Sequence, residues 1–315
     1  MIKVYEFTAG PEDDGLQVKK VIKRRYGFSS RVMTAIKYRG SVKIDGKDAL
    51  GWFPLAEGDF VTVSLPDEES HFTPEKIKIT PLYEDDDLLI IDKQPGIAVH
   101  PTRFNTDYTI ANGLMQYMID TGESFKIRFI NRLDKDTSGV LAIAKNANTQ
   151  EQISRQMRAG TTEKRYYAVV SGIVEKDSFT IDLPIGRPSH DSINRAVMSI
   201  DEGGAPSKTE VSVLERFPGP EIPISPESPE STGATLLELR LLTGRTHQIR
   251  VHLSYIGHPL IGDWRYGGDM SFFTRQALHA YHFECDHPTT KERLVVEADI
   301  PEDMRELIEK LKVRK

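Results

Sequence analysis

The sequence predicts an α+β fold: a large domain built on a mixed, largely antiparallel sheet with flanking helices, preceded by a small α/β module. Three observations predict it. Candidate strands recur without the regular strand–helix alternation of a doubly wound sheet. Residues 1–65 carry 11 Lys/Arg against 8 Asp/Glu, whereas the remaining residues carry 30 against 39, so the composition changes along the chain. Between the two regions lies a polar stretch bounded by Pro66 and containing Pro74. The expected boundaries are 1–66 for the module, 67–80 for a linker and 81–315 for the large domain.

Each element has its own signal. Residues 15–27 set Leu16, Val18, Val21 and Ile22 among Lys19, Lys20, Lys23, Arg24 and Arg25, the pattern of a helix with a basic outer face. Ser29-Ser30 offers an N-cap for a second short helix from Arg31 to Tyr38, ending near Gly40. Residues 41–44 alternate like a strand and turn at Asp45-Gly46, and residues 55–65 supply another turn and strand. In the large domain, Leu88–Ile91 and Gly139–Ala144 are apolar runs of strand length. A helix follows, with Asn148 and Glu151 as a capping box, Ile153 and Met157 on its inner face, and Gly160 at its end. Strands are expected at Tyr166–Val170, Thr209–Val213 and Leu236–Leu242. A helix over Thr246–Tyr255 carries the stripe Ile249, Leu253 and Ile256. The proline-rich residues 216–234 read as an exposed loop between two strands.

Composition narrows the function classes. With 38% hydrophobic and 28% charged residues, the chain matches an ordinary soluble globular protein. No apolar run approaches the ~18 residues of a membrane span, and the N-terminus lacks a signal-peptide core. The single Cys285 fits a reducing cytoplasm. The net charge of −6 does not exclude nucleic acid, because residues 19–47 hold ten basic side chains and one acid, Asp45. Screening over ~10 Å lets such a local face act independently of the whole chain.

The sharpest chemical signal is Asn131-Arg-Leu-Asp-Lys-Asp-Thr-Ser-Gly-Val-Leu. Asp134 falls on a loop before a predicted strand, where catalytic groups are commonly displayed. An isolated Asp-x-x-Thr-Ser-Gly would more often be an Asx turn satisfying backbone amides. Its company decides otherwise. Upstream stand Tyr83-Glu-Asp-Asp, Lys93-Gln-Pro-Gly and Val99-His-Pro. Downstream stand Lys164-Arg-Tyr-Tyr-Ala, Thr243-Gly-Arg-Thr-His-Gln-Ile-Arg-Val-His, His258-Pro-Leu-Ile-Gly-Asp, Tyr266-Gly and Leu278-His-Ala. Together these resemble the RluA/RluD type of RNA pseudouridine synthase over nearly the whole chain. The first 66 residues resemble the alpha-L, or S-four-like, RNA-binding domain through Ser30-Arg31, Val42-x-Ile44-Asp45-Gly46 and Gly58-Asp59-Phe60-Val61.

The resemblance implies an isomerase of uridines in structured RNA, most of all large-subunit ribosomal RNA, with transfer RNA as the other target class. It implies Asp134 as the essential aspartate, Tyr166 as the tyrosine beside the bound uracil, Arg250 as the arginine paired with the aspartate, and Arg132 as the residue that fills the gap left by the flipped uridine. The family often has His where Asn131 stands and Lys-Pro where Lys93-Gln94 stands, departures that touch none of these four.

The chemistry of the reaction asks for the same residue types. Breaking the N-glycosidic bond, rotating the uracil and rejoining it through carbon 5 exchanges no electrons and loses no group, so no cofactor and no metal is expected. A carboxylate is needed, as nucleophile or as base against the ribose, and an arginine beside it keeps it ionised in a dry pocket. The Ile249/Leu253/Ile256 stripe puts Arg250 beside the buried face. Tyr166 offers a ring for stacking and a phenol for proton movement, with Tyr167 on the opposite face of the strand. Lys164, Lys208 and Arg245, and in the module Lys19, Lys20, Lys23, Arg24, Arg25 and Arg31, are the candidate RNA contacts. His247, His252 and His258 lack metal-ligand spacing, and Asp134 and Asp136 are too close in sequence for a glycosidase pair. A monomeric cytoplasmic enzyme acting on RNA is the expectation; a catalytically silent RNA-binding or ribosome-assembly factor is the alternative, and a uracil-releasing glycosidase shares the first chemical step.

Overall fold

The computed structural model describes residues 3–101, 107–221 and 232–313. In the N-terminal part, β1 (Val4–Thr8), α1 (Val18–Tyr26), α2 (Ser30–Arg39), β2 (Ser41–Ile44), β3 (Lys47–Asp48) and β4 (Phe60–Ser64) follow in order. The strands pair antiparallel as β1–β4–β2–β3. Three of the nine residues of α1 are β-branched and buried: Val18, Val21 and Ile22. Each loses up to ~0.7 kcal/mol of helix propensity but gains ~1.5–3 kcal/mol by burial against the sheet, so packing decides. Ser29 caps α2, accepting a hydrogen bond from the Val32 amide at 3.3 Å.

The larger part begins with β5 (Pro81–Glu84) and β6 (Leu88–Lys93), followed by α3 (Ile110–Thr121), β7 (Arg128–Phe129), β8 (Ser138–Ala144) and α4 (Ala147–Ala159). Then come β9 (Glu163–Ser171), β10 (Ser178–Asp182), the two-residue strands β11 (Ile185–Gly186) and β12 (Ala196–Val197), β13 (Lys208–Glu221) and β14 (Thr232–Leu241). The chain closes with α5 (Gln248–Tyr255), β15 (Leu278–Asp286), β16 (Arg293–Glu297) and α6 (Glu302–Val313). Ten strands form one sheet in the order β10–β13–β14–β9–β15–β8–β6–β5, with β16 on β15 and β7 on β8. Only β8 and β15 pair in parallel; the sheet is mixed and largely antiparallel, as expected. Among the described residues no helix is long and apolar enough to cross a membrane.

Three readings of the sequence need correction. The cap of α4 is Asn146, whose side chain accepts from the Thr149 amide at 2.9 Å. Asn148 lies inside the helix, buried, and donates to the Tyr5 hydroxyl at 3.2 Å. The stretch 67–80 has no regular structure yet is packed: Ile77 joins the main core, Asn112 donates to the Thr73 carbonyl at 2.9 Å, and Glu68 pairs with Arg128. Finally, β13 and β14 run into the proline-rich stretch and pair as far as Glu221 and Thr232; residues 222–231 of the expected loop lie outside the described residues.

The two parts touch through α4 and the β5–β6 turn. Lys3 reaches Asp87 at 3.2 Å, Gln152 donates to the Tyr26 carbonyl at 3.2 Å, and Ala147 packs on the N-terminal core. The module is seated on the larger part, not strung from it.

Candidate active site

Asp134 lies in the turn between β7 and β8, and the turn is gripped from four directions. The Thr137 amide donates to the Asp134 carbonyl at 3.1 Å. Lys93, at the end of β6 and fully buried, donates to the carbonyls of Gln94, Lys135 and Thr137 at 2.8–2.9 Å. Arg275 donates to the Asp136 carbonyl at 3.0 Å. The Ser138 hydroxyl meets His279 Nδ1 at 2.9 Å; His279 Nε2 donates to the Ala298 carbonyl, so Ser138 is the donor. Burial pushes His279 down to about 4, keeping the ring neutral for that role. Gly139 completes the grip. Its φ is +109°, and a Cβ there would stand 2.1 Å from the Ala280 carbonyl oxygen of β15, so only glycine lets the two strands close.

Arg250 is 6% exposed on α5. Its Nη1 donates to Asp134 Oδ2 at 2.9 Å, while Nε and Nη2 form a bidentate pair with Asp263 at 2.7 and 2.8 Å. Burial works against the guanidinium charge, but Asp263 and then Asp134 outweigh it and hold Arg250 above its ordinary value. Asp263 is itself 1% exposed, so the arginine is aimed from behind and leaves Asp134 Oδ1 facing outward. His247 Nε2 stands 3.8 Å from that oxygen.

The open space in front of Asp134 is a cleft of about 870 Å³, bordered by Arg132, Lys164, Tyr166 and Arg245. A recess of about 60 Å³ at its floor is lined by Tyr166, Leu241, Ile249 and Leu278. Tyr166 is buried, and burial, with a smaller contribution from the Asp134 charge, raises its phenol; the hydroxyl keeps its proton. Tyr167 points to the other face and stacks on Tyr281 with centroids 3.9 Å apart. The arrangement brings one carboxylate, the Tyr166 ring and an apolar floor to a cleft bordered by cations.

A family model described as RNA pseudouridylate synthase matches residues 87–255. The chain is 40% identical over 313 residues to the uncharacterized RNA pseudouridine synthase YlyB of Bacillus subtilis (strain 168), covering 98% of both chains. It belongs to the RNA pseudouridine synthase family. It is also 39% identical over 254 residues to the ribosomal large subunit pseudouridine synthase D of Nitrosomonas europaea, covering 78% of this chain and 68% of that one. Among solved structures, human RNA pseudouridylate synthase domain containing 1 matches with a TM-score of 0.56 at 27% identity, over 73% of this chain and 87% of that one.

In this pseudouridine synthase the residues singled out in the sequence scatter into three groups. Arg132, Lys164, Tyr166, Arg245 and Arg250 surround Asp134. Lys208 does not border that cleft; it pairs with Asp182 at 3.1 Å near the sheet edge. In the module, Arg24 and Arg25 both bind the fully buried Asp13, and Arg25 lies over the Phe7 ring at 4.5 Å. No ion pair involves Lys19, Lys20, Lys23 or Arg31 among the described residues. Asn131 bridges to β8 by accepting from the Ala142 amide at 2.8 Å and donating to the Val140 carbonyl at 3.0 Å.

Sequence reasoning missed three residues. Lys93 was visible only as part of a motif; burial pushes its ammonium down to about 7 against the pull of Asp136 and Asp134, while three carbonyl acceptors favour the charged form. Asp263 was visible only as the end of the His258-Pro-Leu-Ile-Gly-Asp motif, with no role attached; Gly262, at φ +78°, lets the chain turn against the Arg275 carbonyl and bury it. His247 caps α5 in the left-handed region, φ 57°, a costly conformation for a non-glycine residue. Its Nδ1 lies 2.7 Å from the Tyr266 hydroxyl, whose oxygen accepts from the Arg195 amide at 3.0 Å. With Tyr266 donating to Nδ1, the ring proton sits on Nε2, the atom facing Asp134. Burial, then the charge of Arg250 against that of Asp134, lowers His247 and favours the neutral ring.

Proposed function

We propose that this enzyme isomerises specific uridines in structured RNA, most of all large-subunit ribosomal RNA, with Asp134 as the catalytic carboxylate. The observation that carries the reading is the pair of Asp134 with a buried Arg250 at the mouth of a recess floored by Tyr166 and aliphatic side chains. Arg250 occupies Oδ2, so Oδ1 is the oxygen presented to the ribose, as nucleophile or as base. A carboxylate fixed before substrate arrives loses little to reorganisation. Tyr166 supports the uracil by stacking while it detaches and turns, and Arg132, exposed two residues before Asp134, fills the stack that the flipped nucleotide vacates. Extrusion costs a few kcal/mol, which the cleft's cations offset through the flanking phosphates. Lys164 and Arg245 belong to that set. The basic face of the module, with Lys19, Lys20, Lys23 and Arg31 outermost, is an S-four-like handle for the body of a large RNA. The name of the Nitrosomonas europaea relative supports the ribosomal target.

The test is tritium release from RNA labelled at uridine carbon 5, using unmodified large-subunit ribosomal RNA transcribed in vitro, with a parallel assay for free uracil. Tritium without uracil is the expected result. Free uracil would make the enzyme a glycosidase, and neither product would favour a binding factor.

A further inference from the structure

Beside Asp134 the cleft divides. A second lobe of about 470 Å³ opens on the other side of His247 and Arg265, walled by Arg187, Ile193, Arg195 and Trp264. Asp134, Lys135, Thr246, His247 and Arg265 border both lobes, so the two adjoin along these residues. Nothing in the uridine chemistry uses this space.

Its walls are unusual in two ways. Arg187, Arg195 and Arg265 have no carboxylate partner within ion-pairing distance among the described residues. Each spends one donor on a neutral oxygen: Arg187 on the His190 carbonyl at 3.1 Å, Arg195 on the Asn194 carbonyl at 3.1 Å, and Arg265 on the Asn194 side chain at 2.9 Å. Most of the five donors of each fork remain free. The acids bordering the lobe do not neutralise them; Asp191 is fully exposed and nearest His190, at 3.5 Å. The second feature is apolar. Trp264 is 64% exposed and Ile193 61% exposed, and Arg265 lies 4.8 Å from the Trp264 ring. An indole that carries Arg265 over one face and is otherwise exposed at the cavity wall, beside guanidiniums without carboxylate partners, matches a nucleobase joined to phosphates.

The wall is also rigidly referenced to the catalytic pair. Trp264 and Arg265 directly follow Asp263, the bidentate partner of Arg250, and Tyr266 ties this turn to both His247 and the Arg195 backbone.

We propose that the second lobe seats an unpaired nucleotide adjacent to the target uridine, its base stacked on Trp264 and its phosphates held by Arg187, Arg195 and Arg265. This rests on the reading that the substrate is a single RNA strand entering the Asp134 cleft. Trp264 then contributes to the choice of uridine: sites whose neighbour can leave its helix are favoured over sites whose neighbour cannot.

The chain has two tryptophans, Trp52 and Trp264, so Trp52→Phe leaves Trp264 as the sole indole reporter. This protein is titrated with hexauridylate RNA and with an abasic strand of the same length, binding being followed independently by anisotropy of a 5′-fluorescein. Hexauridylate should quench Trp264 emission and the abasic strand should not. Trp264→Ala should weaken hexauridylate binding about 5- to 150-fold, the range expected for one stacked base, and leave abasic binding unchanged. Arg187→Gln with Arg195→Gln should flatten the slope of log affinity against log salt by about 0.7 for each phosphate no longer neutralised. Equal quenching by both strands, bound hexauridylate without quenching, or no hexauridylate binding at 50 mM salt would each overturn the proposal. Tritium release by the Trp52→Phe enzyme is measured alongside: its absence with quenching intact sinks the isomerase reading alone, and its presence without quenching sinks the stacking site alone.

Discussion

In the N-terminal module one buried aspartate, Asp13, holds two arginines, Arg24 and Arg25; in the cleft one buried arginine, Arg250, holds two aspartates, Asp134 and Asp263. The chemistry is the same and the proportion is reversed. A charge taken out of water must be paired, so the buried ions, Asp13 in one knot and Arg250 with Asp263 in the other, are satisfied and the remaining partner turns outward. In the module the surplus is cationic, with Arg24 more than half exposed. In the cleft it is anionic, with Asp134 about a quarter exposed. The sign of the surplus sets what each knot presents: a positive rim in one place, a carboxylate in the other.

Substitutions can break that comparison, and the largest effect should come from the exposed acid. Asp134→Asn is expected to lower pseudouridine formation by about 10³-fold or more, the scale on which losing a catalytic group acts, while circular dichroism and RNA affinity stay near wild type. Activity within tenfold of wild type would end the assignment. Arg250→Met should come next and should cost stability as well as activity. It strands Asp263, buried and negative, at about 3–5 kcal/mol, read as a lower denaturant midpoint. Adding Asp263→Asn should recover part of the midpoint and none of the turnover. A midpoint equal to wild type in the single variant would mean that Asp263 finds another cation.

The mirror substitution in the module should do less. Asp13→Asn frees two arginines that already reach water, so the cost is that of charge-assisted hydrogen bonds, about 1.5–3 kcal/mol, with turnover at saturating RNA unchanged. A loss larger than that of Arg250→Met would show that exposure of the surplus partner is not what separates the knots. Smallest of all, Lys19→Glu with Lys20→Glu and Lys23→Glu should change the unfolding free energy by no more than about 0.5 kcal/mol per substitution. Its effect should appear in the salt dependence of ribosomal RNA binding, whose log–log slope falls by about 0.9 for every duplex phosphate that these side chains cease to neutralise.

The local half of this structure was legible in the sequence. Apolar spacing gave α1, and Ser29 and Gly40 bracketed α2. Strand parity separated Tyr166 from Tyr167, and the stripe on α5 placed Arg250 beside the buried face. Legibility failed where a partner lies far along the chain. Asp13 reads as one of three acids in a loop, and Arg24 and Arg25 as free cations, until folding brings them together. Asp263 and Lys93 failed for the same reason, since a buried charge announces itself only through partners that spacing does not reveal. The capping of α4 failed differently: Asn146 and Asn148 are chemically equal candidates, and the choice was made by Asp87, which accepts from Asn146 at 2.8 Å. The stretch 67–80 read as a linker because its composition is polar, yet Ile77 in the core and the contacts of Glu68 and Thr73 pin it to the larger part.

The parallel pairing of β8 with β15 has a consequence for how the protein is made. Ser138, four residues after Asp134, is fastened to His279, 141 residues further along the chain. At a synthesis rate of about 5–20 residues per second, roughly 7 to 28 s separate the emergence of the two. During that interval β6 lines one side of β8 and β7 with Asn131 holds most of the other, so only the Ser138–Gly139 end waits for its partner. The turn that presents Asp134 therefore acquires its final shape late in translation, and a nascent enzyme truncated before residue 278 would carry the aspartate without the strand that fixes it.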